Sequence, residues 1–220
     1  MINYPVFSYG SNNDSSINRG RIKVIGIGRI SAAPDTAMIT LGVITEGQDL
    51  ERLQEENAEI STRVIKGVLS SGVPRDNIKT SSYTIDPQYD YQDGKQIFKG
   101  YRISNILSIE VTRLAEVGEI IDRAVNAGAN IVQGVSFIIK NSQAYYNEAL
   151  RAALRNAQSK ALTLSQDMAI KIDRIPISIK EKPSERAYSE SNLLKASAIT
   201  PIMSGTLEIT AEITAIFLYS

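Results

Sequence analysis

The sequence predicts an α+β fold, with a mixed or antiparallel sheet and long helices on one face. Two long segments, 49–71 and 142–169, carry apolar residues at helical spacing. Short segments rich in β-branched residues surround them, and the last, 206–218, alternates apolar and polar residues strictly. Such alternation indicates a strand with one buried and one solvated face, which favours a sheet covered on one side only.

The first strands follow an N-terminal tail. Residues 10–20 are rich in Gly, Ser and Asn, so we predict a disordered tail over 1–20 and a single domain over 21–220. The β-branched segments 21–30 and 36–45 are separated only by a short turn containing Pro and Asp. Their closeness in sequence predicts that they pair as a hairpin.

A capped helix and a long hairpin come next. Asp49 is placed to cap the helix that runs to about Ser71. Further on, Asp93-Gly94 is a dipeptide typical of two-residue hairpin turns. The two strands that flank this turn are 77–91 and 95–112. Arms of roughly 14–18 residues exceed the ~5–6 of an ordinary strand, so we expect a long protruding β-hairpin.

The second half of the chain resembles the first in pattern, with a strand, a long helix and another strand. The expected elements are a helix over 114–126, a strand over 131–140, a helix over 142–169, strands over 171–182 and 206–218, and a polar loop over 183–201. The inward stripe of the long helix is expected to hold Ala149, Leu150, Ala153, Leu154, Ala157, Ala161, Leu164 and Met168. The chain thus contains two pseudo-repeated strand-helix-strand units.

Composition excludes several kinds of chemistry. The chain has no His and no Cys, which excludes imidazole bases and ligands, thiol catalysis and disulfides. Its 24 basic and 24 acidic residues balance, so no long-range field attracts nucleic acid or anionic lipid. No apolar run approaches the ~20 residues of a membrane-spanning helix. We therefore expect no catalytic residues, no cofactor, no metal, no nucleic-acid partner and no membrane span.

Two motifs suggest chemistry but have a plainer explanation. Gly26 and Gly28 resemble the start of a dinucleotide-binding fingerprint, yet the third glycine and the following helix are missing. A bulge or close packing is the favoured interpretation. Glu51, Glu55 and Glu59 share a helix face and could bind a hard cation or act as acid and base. Their spacing is also that of an ordinary solvated face, which we favour.

Aromatic residues cluster on the long hairpin. They are Tyr83, Tyr89, Tyr91, Phe98 and Tyr101. Cross-strand aromatic pairs that stabilise the hairpin are one explanation, and a contact between proteins is another. Stacking on bases is a third, but the aspartates at positions 86, 90 and 93 and the zero net charge oppose it. The candidate oligomer-contact residues are Tyr89, Tyr91, Phe98 and Tyr101.

The ordered set of motifs resembles the SIMPL domain, also called the DUF541 family. The resemblance covers about residues 21–220 and rests on the opening IKVIGIGRISAAPDTAMITLGVITEG, the strand from Tyr101 with Asn105, the sequence Gly128-Ala129-Asn130, and Lys160-Ala161 in the Ala-rich helix. It implies an α+β fold, large homo-oligomers, an association with oxidative stress, and an envelope or periplasmic location in bacterial members. It implies no catalytic residues.

These observations predict a non-enzymatic protein of the SIMPL type that forms homo-oligomers, with the stress-related role that the resemblance implies. The alternative is a module that binds a partner protein or a small ligand of unknown identity. The N-terminal residues lack the basic and apolar regions of a secretory signal, which predicts a cytoplasmic location. A periplasmic or envelope location, as in related proteins, is the alternative.

Overall fold

The computed structural model describes residues 20–182, 189–191 and 202–220. Its helices are α1 (Leu50–Ser70), α2 (Val117–Asn126) and α3 (Gln143–Asp167). Its strands are β1 (Gly20–Ala32), β2 (Thr36–Gly47), β3 (Ile78–Gln92), β4 (Lys95–Val111), β5 (Ile131–Ile138), β6 (Ser178–Lys182), β7 (Ser189–Ser191) and β8 (Leu207–Tyr219). The predicted order of elements and the α+β class are confirmed, with the short β7 as an addition.

The strands form two sheets. One has five strands in the order β3-β4-β2-β5-β7, and the other has three in the order β1-β8-β6. The described residues divide into two compact units. The larger comprises residues 29–148, 189–191 and 202–210, and the smaller comprises 20–28, 149–182 and 211–220. The single domain over 21–220 stays a prediction, and residues 1–19 of the expected tail lie outside the described residues.

The core of the larger unit lies between the five-stranded sheet and two helices. Alternate residues of β2, from Ala37 to Val43, are buried together with Val64 and Val68 of α1 and Ile120 of α2. Because side chains alternate along a strand, this pattern places both helices on the same face of the sheet. The Asp49 cap is confirmed, since its carboxylate accepts a hydrogen bond from Arg52 N at 3.2 Å.

The core of the smaller unit is built on an unusually close contact between α3 and β1. A Cβ atom at Gly26 would lie 2.1 Å from the carbonyl oxygen of Ala153, and one at Gly28 would lie 2.0 Å from that of Ala149. The helix therefore presents alanines to the strand. Its fully buried residues are Ala149, Ala153, Ala157, Ala161 and Ser165.

The expected burial of two larger residues of that helix is wrong. Leu164 and Met168 are exposed, because the close approach of α3 to the glycines leaves room for methyl groups only. The bulkier side chains are displaced to the flanks of the contact. The same geometry confirms close packing, and not a dinucleotide-binding loop, as the reason for Gly26 and Gly28.

Side chains of α3 also occupy the outer edge of β1. Asn156 accepts a hydrogen bond from Ile27 N at 3.1 Å, and the Lys160 ammonium donates to Ile25 O at 2.8 Å. An edge strand exposes unpaired N–H and C=O groups that can recruit another strand. Here the helix satisfies two of these groups, so this edge of the three-stranded sheet is blocked.

The predicted hairpin between the first two strands is wrong. β1 pairs with β8 in one sheet, whereas β2 lies between β4 and β5 in the other. The connection has neither a glycine nor a residue with positive φ, which a tight hairpin turn requires. Instead, Asp35 binds the end of β5: its N–H donates to Ile138 O, and its carboxylate accepts from Lys140 N at 2.9 Å.

The two strand-helix-strand successions are present, but they differ in topology. The strands on either side of α1 belong to the same sheet, whereas those on either side of α3 belong to different sheets. Most of the loop predicted over 183–201 lies outside the described residues. Within it, the three residues of β7 pair with β5.

Candidate functional site

The long hairpin extends past the rest of its sheet. Its turn is confirmed, since Asp93 and Gly94 have φ values of 51° and 76°, as a two-residue turn with both central residues left-handed requires. β4 pairs with β2 only as far as Tyr101, which is opposite Gly47. From there to the turn, β3 and β4 pair only with each other among the described strands. We call residues 87–101 the ribbon.

A bulge in the ribbon brings its aromatic rings together. Gln88 is opposite Gly100 and Tyr89 is opposite Phe98, so Lys99 is an extra residue in β4. Without it, Phe98 and Tyr101 would point to opposite faces. With it, their rings lie 5.2 Å apart at 70°, and the Tyr89 and Phe98 rings lie 5.7 Å apart at 66°. Both are edge-to-face contacts of the favourable kind.

Gly100 makes this bulge possible. Its φ is +139°, and a Cβ atom there would lie 2.4 Å from the carbonyl oxygen of Gly47 at the end of β2. The base of the ribbon is therefore held against β2 by a backbone contact that only glycine permits.

The structure places all four predicted contact residues on one face. Tyr89, Phe98 and Tyr101 touch in a row, and Tyr91 lies two residues nearer the turn on the same face. The exposed fractions are 48% for Tyr89, 72% for Tyr91 and 45% for Phe98, while Tyr101 is partly buried. Stable cross-strand pairing thus accounts for only part of this cluster, because much of its surface remains open to solvent.

The opposite face of the ribbon is charged. Lys99 lies 3.5 Å from the Asp90 carboxylate. Just beyond the ribbon, Arg102, opposite Asp86, lies 3.6 Å from Glu46. These groups are exposed, so the pairs contribute little to stability, but they keep this face solvated. The ribbon is therefore amphipathic, with aromatic rings on one face and the Lys99–Asp90 pair on the other, where Ile97, opposite Asp90, is an exposed apolar exception.

A buried chain of polar side chains, which sequence analysis missed, lies behind the base of the ribbon. Asn57 of α1 donates to Val43 O at 3.3 Å and to Thr45 Oγ1 at 3.2 Å. Ser61 donates to Asn57 Oδ1 at 3.3 Å, and Asn105 Nδ2 of β4 donates to Ser61 Oγ at 3.0 Å. The available signal was the four-residue spacing of Asn57 and Ser61 on the buried stripe of α1.

This polar chain has a positioning role. It contains amides and hydroxyls without a carboxylate or other base, so it offers no activated nucleophile. It does tie α1 to β2 and β4, which are neighbours in the sheet. Asn105 lies four residues from Tyr101 along β4, so this tie is close to the base of the ribbon. Buried polar networks of this kind specify one arrangement of the elements that they join.

The other candidate groups do not converge on a site. Glu51, Glu55 and Glu59 are exposed on the outer face of α1, as an ordinary solvated face requires. Within the described ranges, no three acidic side chains come close enough together to hold a metal ion. None of the described helices is both long and apolar enough to cross a membrane.

Comparison with known proteins identifies the family. Residues 22–217 match the family described as SIMPL, protein of unknown function (DUF541). The chain belongs to the SIMPL family. This match spans both compact units and includes all or most of each element from β1 to β8.

Several curated SIMPL relatives are bacterial. The 26 kDa periplasmic immunogenic protein of Brucella melitensis is 30% identical over 173 residues, which cover 76% of this chain and 69% of that protein. The protein of the same name from Brucella abortus has the same identity and coverage. The uncharacterized protein YggE of Escherichia coli K12 is 29% identical over 140 residues, covering 64% of this chain and 57% of YggE.

The residues that carry the SIMPL resemblance have structural roles in this fold. Gly26 and Gly28 admit α3, and Lys160 closes the edge of β1. Asn105 completes the polar chain. The side chain of Asn130 accepts from Ile44 N at 2.8 Å and donates to Ile44 O at 2.6 Å, so it pairs with β2 as a backbone residue would. These motifs therefore stabilise the fold.

Proposed function

We propose that this SIMPL chain is a non-enzymatic protein that works as a homo-oligomer, with the aromatic face of the ribbon as a contact between copies. The observation that carries the proposal is the exposure of Tyr89, Tyr91 and Phe98 on one face of an amphipathic ribbon. Tyrosine and phenylalanine are enriched at the centres of protein interfaces, and their rings bury much area at little entropic cost.

The size of the face constrains the contact. Four rings that are roughly half exposed offer on the order of 400 Å² per copy. A stable interface of ordinary size buries about 800 Å² per partner. The contact must therefore extend along β3 toward Tyr83, which is exposed on the same face. Among the described strands, β3 lies at the edge of its sheet, so its backbone can contribute to the contact.

The test is the absolute mass in solution, measured by light scattering on a sizing column at two concentrations tenfold apart. We expect a discrete multiple of 24.1 kDa that persists on dilution. The variant Tyr89→Ser/Tyr91→Ser/Phe98→Ser should have a lower mass. The control Asp90→Ser/Lys99→Ser changes the charged face without changing the net charge and should keep the mass of the unmodified chain.

Three outcomes would overturn the proposal. They are an unmodified chain that is monomeric at both concentrations, a triple variant that assembles normally, and a control that dissociates as readily as the triple variant. The same aromatic face also favours the alternative, a module that binds a different protein. A monomeric chain whose triple variant is equally well folded would support that alternative.

We further propose a periplasmic location and not the cytoplasmic one expected from the sequence. The support is that the Brucella relatives are described as periplasmic proteins. In fractionated cells of the source organism, the full-length gene product should separate with the periplasmic contents. Its recovery with the cytoplasmic fraction would reject this placement.

The stress-related role stays a proposal that rests on the family resemblance. A strain that lacks the gene should survive peroxide exposure less well, and expression of the intact chain should restore survival. If oligomerisation is required for that role, the triple ribbon variant should fail to restore it. Equal survival of the deletion strain and its parent would reject the role.

A further inference from the structure

The smaller unit exposes three isoleucines that are close together in the sequence. Ile175 is 80% exposed, and Ile177 and Ile179 are each 52% exposed. We call these three residues the isoleucine row. A single exposed apolar residue is ordinary, but a group of large aliphatic side chains open to water is typical of a surface that binds another protein.

The position of α3 explains why the isoleucine row is open. The helix packs closely against β1, because Gly26 and Gly28 admit its backbone. In the sheet order β1-β8-β6, β6 lies two strand spacings from β1, about 10 Å. A helix with its side chains is itself about 10 Å wide, so one centred near β1 does not reach over β6. Ile179 is therefore exposed, although it lies opposite Ala215, which is buried.

Hydrogen bonds fix the chain that carries the isoleucine row. Gln158 of α3 donates to Arg174 O at 3.3 Å, and Ile177 N donates to Ile216 O at 2.8 Å. The row is therefore held in place by both the helix and β8. A surface that is already ordered loses little conformational entropy when a partner binds to it.

We propose that the isoleucine row of one copy binds the aromatic face of the ribbon of another copy. This inference rests on the proposed function, and it names the surface that the ribbon contacts. A ribbon that bound only a second ribbon would leave the isoleucine row out of that contact, whereas a ribbon bound to the row covers both apolar surfaces at once. Aromatic rings and β-branched side chains pack favourably against each other. The contact joins two unlike surfaces, so every copy uses both of them.

The charges around the two surfaces are complementary. Residues 80–93, which form most of β3 and begin the turn, contain Asp86, Asp90 and Asp93 and no basic residue. Residues 171–182, which contain the isoleucine row, hold four basic and two acidic residues, a net charge of +2. Two ribbons that met through β3 would bring the three aspartates of each copy together. Contact with the row instead places them near basic residues, which orients the partners more than it raises their affinity.

Mixing two complementary variants of the full chain tests the proposal. The first is the triple serine variant of the ribbon, which keeps an intact isoleucine row. The second, the row variant, keeps an intact ribbon and retains β-branched residues that suit an extended chain: Ile175→Thr/Ile177→Thr/Ile179→Thr. We expect each variant alone to have a lower mass in solution than the unmodified chain. An equimolar mixture should form species that contain both variants, because one supplies the ribbon and the other supplies the row.

The outcomes separate this contact from the proposed function. A row variant that keeps the mass of the unmodified chain, or a mixture whose two variants do not associate, would overturn the contact between ribbon and row alone. An unmodified chain that is monomeric would overturn the proposed function and this contact with it. Circular dichroism of both variants checks that a lower mass does not reflect unfolding.

Cross-linking locates the contact without removing either apolar surface. Because the chain has no Cys, Gln92→Cys beside the turn and Ser178→Cys beside the isoleucine row are unique sites, and both positions are exposed. Chains with one or the other substitution are coexpressed, one of them tagged, and treated with a short bismaleimide. We expect at least about tenfold more linked pairs of unlike chains than with Ser159→Cys, an exposed position on α3, in place of Ser178→Cys. Links mainly between two Gln92→Cys chains would overturn this contact and leave the proposed function standing.

Discussion

The contact between α3 and β1 predicts a large penalty for adding one methyl group to a strand glycine. In Gly26→Ala the new Cβ atom would meet the Ala153 carbonyl oxygen at 2.1 Å. An ordinary contact needs roughly 3.5 Å, so the helix backbone must move by about 1 Å or more. Truncating a side chain of α3 cannot relieve this clash, because the obstructing atom belongs to the main chain.

The magnitude follows from two effects. Overpacking of a close-packed interior costs about 1–3 kcal/mol. Displacement of α3 also weakens the hydrogen bonds from Asn156 to Ile27 and from Lys160 to Ile25, at about 1 kcal/mol each. We expect Gly26→Ala, and likewise Gly28→Ala, to lower the free energy of unfolding by about 3 kcal/mol.

Urea denaturation followed by circular dichroism measures this loss, with amide exchange of α3 as a local readout for the smaller unit. A loss of that size should lower the urea midpoint by about 1 M or more. Gly134→Ala is the matched control, since Gly134 is also a strand glycine but a Cβ atom there would meet nothing within 4 Å. The reasoning fails if all three variants have the same stability within about 0.5 kcal/mol.

Three further variants test other parts of the fold. Asn57→Ala should lower the free energy of unfolding by about 3 kcal/mol, because it leaves Val43 O and the Thr45 hydroxyl buried without their partner; a urea midpoint unchanged from the parent would refute this. Asn130→Ala should cost about 2 kcal/mol through the loss of both bonds to Ile44, and faster amide exchange of Ile44 is the direct check. Gly94→Ala should cost about 1 kcal/mol, confined to the ribbon, because φ is +76° and a Cβ atom there has no neighbour to contact; amide exchange in β3 and β4 should rise while that of α1 stays constant.

Local patterns in the sequence predicted well what local forces decide. Asp93-Gly94 fixed the turn of the long hairpin, and Asp49 fixed the start of α1, because both act on neighbouring backbone groups. The alternation of the last strand was confirmed because successive side chains of a strand point to opposite faces of the sheet. Pairing between strands that are distant in the sequence was harder to predict. Nothing near Pro34 reveals that β1 pairs with β8, so proximity in the sequence predicted the wrong partner.

In the candidate site, too, local features were predicted from the sequence and contacts between distant residues were not. The sequence placed the aromatic residues on the ribbon, but it did not reveal the bulge at Lys99 that puts Phe98 and Tyr101 on one face. The polar chain was missed because Asn57 and Ser61 interrupt an apolar stripe, and a polar residue there normally indicates the end of the buried face. Only the structure shows that their partners come from β2 and β4.

The side chain of Asn130 has a consequence for strand register. Its amide group offers a donor and an acceptor, as a peptide bond does, and it binds both backbone groups of Ile44. Asn130 itself lies just before β5 begins. A slip of β5 by one residue against β2 would turn Val135 and Phe137 from the core to the opposite face. It would also detach Asn130 from both groups of Ile44. One side chain therefore helps to fix the register between β2 and β5, by bonding two residues that are 86 positions apart in the sequence.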